Sequence, residues 1–175
     1  ALIDDWVSRS SEGAQAIDQD GTLAAAGKVD AAAVSSFTMH EYFAKPPPKS
    51  LDRNAFSLDC VEGMSLEDGA ATLAAMSAAA IARGLEHLPE RPVKIVACGG
   101  GRNNPVLVRM IAERTGTEVV PAEEAGFDGD SVEAEAWAYM AVRSQRGWPI
   151  TFPGTTGVAK PLSGGVVAKP SPPAD

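Results

Sequence analysis

The residues from 93 to 111 read Val-Lys-Ile-Val-Ala-Cys-Gly-Gly-Gly-Arg-Asn-Asn-Pro-Val-Leu-Val-Arg-Met-Ile. The run Val93–Cys98 suits a short buried strand. Gly99, Gly100 and Gly101 follow it, and Asn104-Pro105 reads as an N-cap with a first-turn proline. Leu107, Met110 and Ile111 then recur at helical spacing. Strand, glycine turn and helix together bring bare backbone N–H groups close to a ligand. A phosphate or a ribose can lie against such a chain, and the helix N-terminus favours negative charge. The plain alternative is a tight turn with no ligand. The spacing is neither G-x-G-x-x-G nor G-x-x-x-x-G-K-[ST], so the dinucleotide and P-loop readings lose their main support. A Rossmann-type dehydrogenase would also need an acidic residue about 20 positions on. Glu118, Glu123 and Glu124 lie near that distance, but the glycine spacing is wrong.

Other side chains could carry chemistry. Asp4 and Asp5 fall in the first turn of an opening helix, where either a ligand or the helix dipole explains them. Asp18-Gln-Asp-Gly resembles the start of a calcium loop, but no glutamate follows in the twelfth place, so it reads as a turn. Asp68 and Thr72 share a helix face and read as a solvated patch. Glu133 and Glu135, two apart on a later helix, point to different sides, and one must lean inward. His40 reads as a surface or capping histidine. His87 falls in a last helical turn, where a cation suits the dipole. Lys45-Pro-Pro-Pro-Lys-Ser is stiff and extended, either a linker or an ordered strut presenting Lys49 and Ser50 to a pocket. Cys60 and Cys98 give neither a disulfide framework nor metal-ligand spacing.

Helices must position these groups. The pattern predicts them at Ala1–Ser11 with Trp6 in the core, at Ala31–Phe43 with Val34, Phe37 and Phe43 inward, and at Leu66–Leu88. Further helices are predicted at Pro105–Arg114 and Ser131–Arg146. The last should bury a face of Ala134, Trp137, Ala138 and Ala141. Thr117–Pro121 is a second strand, and the brief links imply a parallel pair with a right-handed crossover. Gly164–Ala168 reads as an edge strand, with disorder beyond Lys169.

At 175 residues the chain can bury one core, and one domain is the default. A net charge of −8 argues against a nucleic-acid surface. No apolar run reaches the length of a membrane span, and no signal peptide is visible. The expectation is therefore a cytoplasmic enzyme without a nucleic-acid or membrane partner. The chain opens at Ala1 inside a helical pattern, which reads as part of a longer or processed polypeptide.

Taken in order, these motifs resemble the C-terminal part of the anhydro-N-acetylmuramic acid kinases. Ala1-Leu-Ile-Asp-Asp-Trp resembles the family segment after a D-T-G-P-G-N loop. Asp18-Gln-Asp-Gly resembles its D-x-D-G turn, Pro47-Pro-Lys-Ser with Phe56 its P-P-K-S segment, and Ala71-Thr-Leu its A-T-L helix. Cys98-Gly-Gly-Gly-Arg-Asn-Asn-Pro resembles C-G-G-G-A-x-N-P. Glu133-Ala-Glu-Ala-Trp-Ala resembles E-A-x-x-F-A, and Thr156-Gly-Val resembles T-G-A. The chain departs at Arg102, where the family has alanine, at Leu51-Asp52 in place of Thr-Gly, and at Trp137 in place of phenylalanine.

The resemblance implies an α/β lobe of the actin, hexokinase and Hsp70-like (ribonuclease H-like) class, partial, helix-rich and with a short parallel sheet. That lobe would cover residues 1–169, with a flexible tail at 170–175. It implies ATP and Mg2+ as cofactors and anhydro-N-acetylmuramic acid as the sugar. Such kinases open the 1,6-anhydro ring with water and give N-acetylmuramic acid 6-phosphate, in cell-wall recycling. By the same resemblance Gly99, Gly100, Gly101 and Asn104 border the nucleotide, Glu133 reaches the sugar, and Asp4 is a candidate for the metal. A possible homodimer is implied as well. The family's general base is the Asp of D-T-G-P-G-N, which would precede Ala1, so this chain alone is expected to be inactive. A non-catalytic nucleotide-binding or interaction module that keeps half of the fold is the alternative.

Overall fold

The computed structural model describes residues 2–168, so the tail expected at 170–175 lies outside the described residues. The chain divides into two compact units, Ala1–Asp130 and Ser131–Asp175.

The first unit is built on one alanine-rich helix. Its elements in order are α1 (Leu2–Ser10), α2 (Thr22–Ala26), α3 (Ala31–Thr38), α4 (Glu41–Ala44), α5 (Leu66–Leu85), β1 (Lys94–Ala97), α6 (Pro105–Thr115) and β2 (Glu118–Pro121). Ser65 caps α5 by accepting from the Asp68 amide at 3.1 Å. The small side chains Ala70, Ala71, Ala74, Ala78 and Ala79 are buried and leave room for neighbouring backbones to approach. Five helices, α1, α2, α3, α4 and α6, pack around α5. Leu73 and Met76 fill its core side as expected, while Ile81 stays 37% exposed.

Two close approaches fix the outer helices. Trp6 is buried, its Nε1 donates to the Leu66 carbonyl at 2.9 Å, and a Cβ on Gly69 would enter its indole. At Gly27, which ends α2, a Cβ would enter the Glu67 carbonyl. The segment after Gly27 is then pinned along α5. The Lys28 amide donates to Asp68 Oδ1 at 2.7 Å, and the Asp30 amide donates to Thr72 Oγ1 at 3.0 Å. This corrects the expectation of a solvated patch. Thr72 is fully buried, because an incoming loop needs an acceptor for its amides where α5 has none to spare.

The helix expected over Ala31–Phe43 is two. Asp30 caps α3, and His40 turns extended at ψ 134° and caps α4, its Nδ1 accepting from the Tyr42 amide at 3.2 Å. The capping role expected for His40 holds. Val34 and Phe43 are buried and Phe37 half-buried, and Phe37 packs on Phe43 and Phe56 at ring separations of 5.1 and 4.9 Å. In the proline segment Lys49 turns back on α4 rather than being presented to a pocket. Lys49 Nζ donates to the Tyr42 and Phe43 carbonyls at 2.9 and 3.2 Å and lies 3.1 Å from His87 Nε2, so it closes the end of α4. His87 in turn lies 2.8 Å from the Phe43 carbonyl.

β1 and β2 pair in parallel, with Lys94 opposite Glu118 and Ala97 opposite Pro121. The strand is not the buried one expected from Val93–Cys98. Val93 is 94% and Val96 44% exposed, and Cys98 is exposed. A sheet of two strands leaves each with an unpaired edge, and α6 packs on β2 rather than over both.

The second unit holds α7 (Val132–Gln145) and α8 (Pro153–Thr156), with an isolated bridge between Thr151 and Leu162. Arg143 organises it. Its Nε donates to the Pro149 carbonyl at 2.6 Å, and its guanidinium lies 5.8 Å from the rings of Trp148 and Phe152. The expected burial of Ala134, Trp137, Ala138 and Ala141 is not seen. No residue of α7 is buried, and Trp137 is 63% exposed, because a four-residue helix and one isolated bridge give the second unit little to lay against it. Gly164–Ala168 forms no strand. Gly165 turns the backbone at φ 93°, and Ser144 Oγ holds the Gly164 carbonyl at 2.5 Å.

Gly69→Ala sets two effects against each other. Alanine favours a helix interior by about 1 kcal/mol over glycine. Forcing a methyl into a packed ring costs about 1–3 kcal/mol. Trp6 cannot retreat without losing its bond to Leu66, so the packing cost wins. The urea midpoint of the full-length protein should fall, at unchanged slope, by the equivalent of up to about 2 kcal/mol.

Candidate functional site

The glycine turn joins β1 to α6 at the C-terminal ends of the parallel pair, the edge at which open α/β sheets bind ligands. Gly99 has φ 73° and ψ 177°, a conformation that needs glycine. Gly100–Asn103 form one 3-10 turn. All three glycines are exposed. A Cβ at Gly99 or Gly100 would meet open space, and one at Gly101 only the Leu107 Cδ2 at 3.5 Å. The outer face of the turn is therefore open backbone.

Asn104 anchors this turn from inside. It is 9% exposed, and its Oδ1 accepts from the Val106 and Leu107 amides at 3.1 and 3.0 Å, the N-cap that the sequence predicted. With that acceptor turned inward, its structural work is to set where α6 begins. Behind it stands the Asp18–Gly21 turn. Asp18 is 6% exposed, and its two carboxylate oxygens accept from the Leu23 and Ala24 amides at 2.8 and 3.1 Å. Gly21 has φ 70°, and a Cβ there would run into Asn104 Oδ1 and Val106. Two motifs far apart in sequence thus meet at one point.

The rim of the turn is held by Arg102, whose side chain is only 7% exposed. Its Nε and Nη2 donate to Glu123 Oε1 at 3.1 and 2.9 Å. Its Nη1 donates to Asp130 Oδ1 at 2.7 Å and to the Gly99 carbonyl at 3.0 Å. Glu123 Oε1 also accepts from the Gly129 amide at 3.1 Å, and the Gly99 amide donates to the Gly129 carbonyl at 2.8 Å. A Cβ on Gly129 would collide with the guanidinium. Hydrogen bonding to Arg102, with its charge, holds the Glu123 and Asp130 carboxyls below the usual carboxylate range. That direction is the wrong one for a general base working near neutral pH.

The sequence offered no sign of this network beyond its parts: an arginine after three glycines, and an acidic loop across the sheet. Reading them together needed the parallel register, which sets both at the same sheet end. The remaining expected residues stand elsewhere. Asp4 is half-buried in the first turn of α1. Among the described residues no group of three or more His, Cys, Asp or Glu side chains could hold a metal. A protein cage for the Mg2+ implied by the resemblance is thus not found among them. Glu133 lies on α7 in the second unit, exposed, with the Trp137 Nε1 at 3.5 Å. Glu135 is exposed too, so neither leans inward. No helix of the described residues is long and apolar enough to cross a membrane.

The family model described as anhydro-N-acetylmuramic acid kinase matches residues 1–170. A protein of that name from Rhodospirillum rubrum is 49% identical over 165 residues, covering 94% of this chain and 44% of the relative. Another from Rhizorhabdus wittichii is 48% identical over 169 residues, covering 97% and 46%. A third from Mesorhizobium japonicum is 48% identical over 168 residues, covering 96% and 45%. The chain thus spans a little under half the length of these curated relatives. The matches give the family and the share of length, and the C-terminal placement expected from the motifs does not follow from them.

The lowered carboxyls give a pH test. A group whose folded value is depressed adds stability above its ordinary value, and that stability is lost as pH falls through the folded value. Glu123→Gln removes one such group. The gap in urea midpoint between the full-length protein and this variant should be complete at pH 7 and close on acidification below about pH 4. A gap that stays constant down to pH 3 would contradict the pairing with Arg102.

Proposed function

The chain belongs to the anhydro-N-acetylmuramic acid kinase family, and from that premise we propose that it forms part of an enzyme phosphorylating 1,6-anhydro-N-acetylmuramic acid with ATP. The observation that carries this reading is the family match over residues 1–170. The open glycine turn at a parallel sheet end supports it, since such a turn suits a polyphosphate or ribose. The partial lobe is read as one of the actin, hexokinase and Hsp70-like class, consistent with a helix-rich unit carrying a short parallel pair.

The reaction sets the roles. Water adds at the anomeric carbon, the bridging C–O bond breaks, and the released 6-oxygen takes the γ-phosphoryl group, leaving ADP. A carboxylate must take the proton from water. The carboxylates at the glycine rim are tied to Arg102 and unsuited to that task. By resemblance to the family the base is the Asp of its D-T-G-P-G-N loop, and it is assigned to the remainder of the full-length protein. The part of this chain is to hold and orient the nucleotide. The Gly99–Gly101 backbone borders its phosphates or ribose, and α6 points its N-terminus at that rim, where negative charge is favoured. Asn104 contributes by fixing the start of α6. Glu133 is assigned to the sugar, on the family motif alone. Peptidoglycan recycling is the corresponding process, and the cytoplasm the corresponding compartment.

A coupled assay on the full-length protein tests this. ADP and a 6-phosphorylated, ring-opened amino sugar should form only when ATP and the anhydro-sugar are both present. The 175-residue chain by itself should show no turnover, and clear turnover would contradict the assignment of the base. Glu133→Ala in the full-length protein should raise the KM for the sugar by about tenfold while changing ATP binding by less than about twofold. Equal loss of both, or of neither, would remove Glu133 from the sugar site.

A further inference from the structure

We propose that Arg102 is a positioning residue for the nucleotide, a clamp that joins the glycine turn and the acidic loop into one preorganised rim. The inference rests on the reading of that turn as the nucleotide site. It concerns a residue that stands in the glycine motif where the family resemblance has alanine.

The geometry is specific. A guanidinium with a side chain 7% exposed faces carboxylates whose side chains are 49% and 74% exposed. The cation is thus the enclosed member of the cluster and the anions its solvated rim. Its donors reach three separate pieces of chain: Glu123 in the 3-10 turn after β2, Asp130 at the end of the following loop, and the Gly99 carbonyl in the glycine turn itself. The planar fork suits this, because Nε and Nη2 converge on one carboxylate oxygen while Nη1 serves the other two partners. An ammonium could not reach all three in one geometry. The bare Gly129 backbone makes room for the guanidinium, and its carbonyl closes back on the Gly99 amide. Gly99 is therefore held at both its amide and its carbonyl, one through the acidic loop and one through Arg102.

Two consequences follow for a ligand at the turn. The first is conformational. Three successive glycines are the most mobile of backbones, and a ligand that must order them loses affinity. Fixing Gly99 at both ends removes part of that loss before binding. The second is electrostatic. Glu123, Glu124, Asp128 and Asp130 crowd the loop beside the turn. A polyphosphate would meet repulsion there unless a cation engaged some of them, and Arg102 engages two. Both effects act on the nucleotide and neither on the sugar chemistry.

The test uses steady-state kinetics of the full-length protein with ATP and the anhydro-sugar. Wild-type turnover with ATP comes first; its failure would remove the functional reading itself. Given that turnover, Arg102→Ala should raise the KM for ATP by about tenfold or more, the loss of one charge-assisted anchor. The kcat and the KM for the sugar should change by less than about twofold. Arg102→Lys keeps the charge without the fork and should recover only part of the ATP KM. Asp130→Asn leaves Arg102 in place, cuts one arm at an exposed residue, and carries the test should Arg102→Ala not fold; it should raise the ATP KM about threefold. An unchanged ATP KM in Arg102→Ala or Asp130→Asn would overturn the proposal. So would a loss spread equally over kcat, both KM values and the melting temperature, or a full recovery in Arg102→Lys.

Discussion

The first unit depends on one buried polar contact, the cap that Asn104 places on α6. Its Oδ1 holds the first amides of the helix, and the Gly21 backbone presses on the same oxygen. A buried acceptor with two donors is stable where an unmatched one is costly. Through this contact the helix that starts at the glycine turn is fixed to the turn that opens α2, while α6 and α2 both pack directly on the alanine-rich α5. The turn itself stays open because its support comes from behind. Rigid inside and bare outside is the combination that a ligand-binding backbone requires.

The rest of the unit can be seen as ways to bring backbones close to α5. Gly27 and Gly69 give up side chains so that a carbonyl and an indole can come near. Asp68 and Thr72 then take the amides of the passing segment. The same logic recurs at Lys49, a cation that ends α4 by facing its last carbonyls.

Much of this is legible in local sequence pattern. The opening helix with Trp6 buried, the long α5, the strand–glycine–helix–strand unit with its parallel pairing, and the Asn104-Pro105 start all follow from short-range periodicity and capping chemistry. What escaped is tertiary. Whether Thr72 is solvated depends on a loop 42 positions away, and no local signal carries that. The apolar spacing of α7 and β1 suits burial, yet α7 has no buried residue and β1 is half-exposed; the partner layer, which decides it, is not encoded in the segment. The Arg102 network joins residues 21 and 28 positions apart and becomes visible only once the register puts them at one sheet end. The nucleotide contacts and the roles of Glu133 and Asp4 rest on resemblance to the family, which the comparisons support for the chain as a whole.

The central claim is that the open face of Gly99–Arg102 receives a nucleotide. The most direct measurement is an amide-resolved NMR titration of the full-length protein with ATP and magnesium. The largest, saturable shifts are expected at Gly99, Gly100, Gly101 and Arg102, with smaller ones along the first turn of α6. Saturable binding that leaves those four amides unmoved while others shift would contradict it.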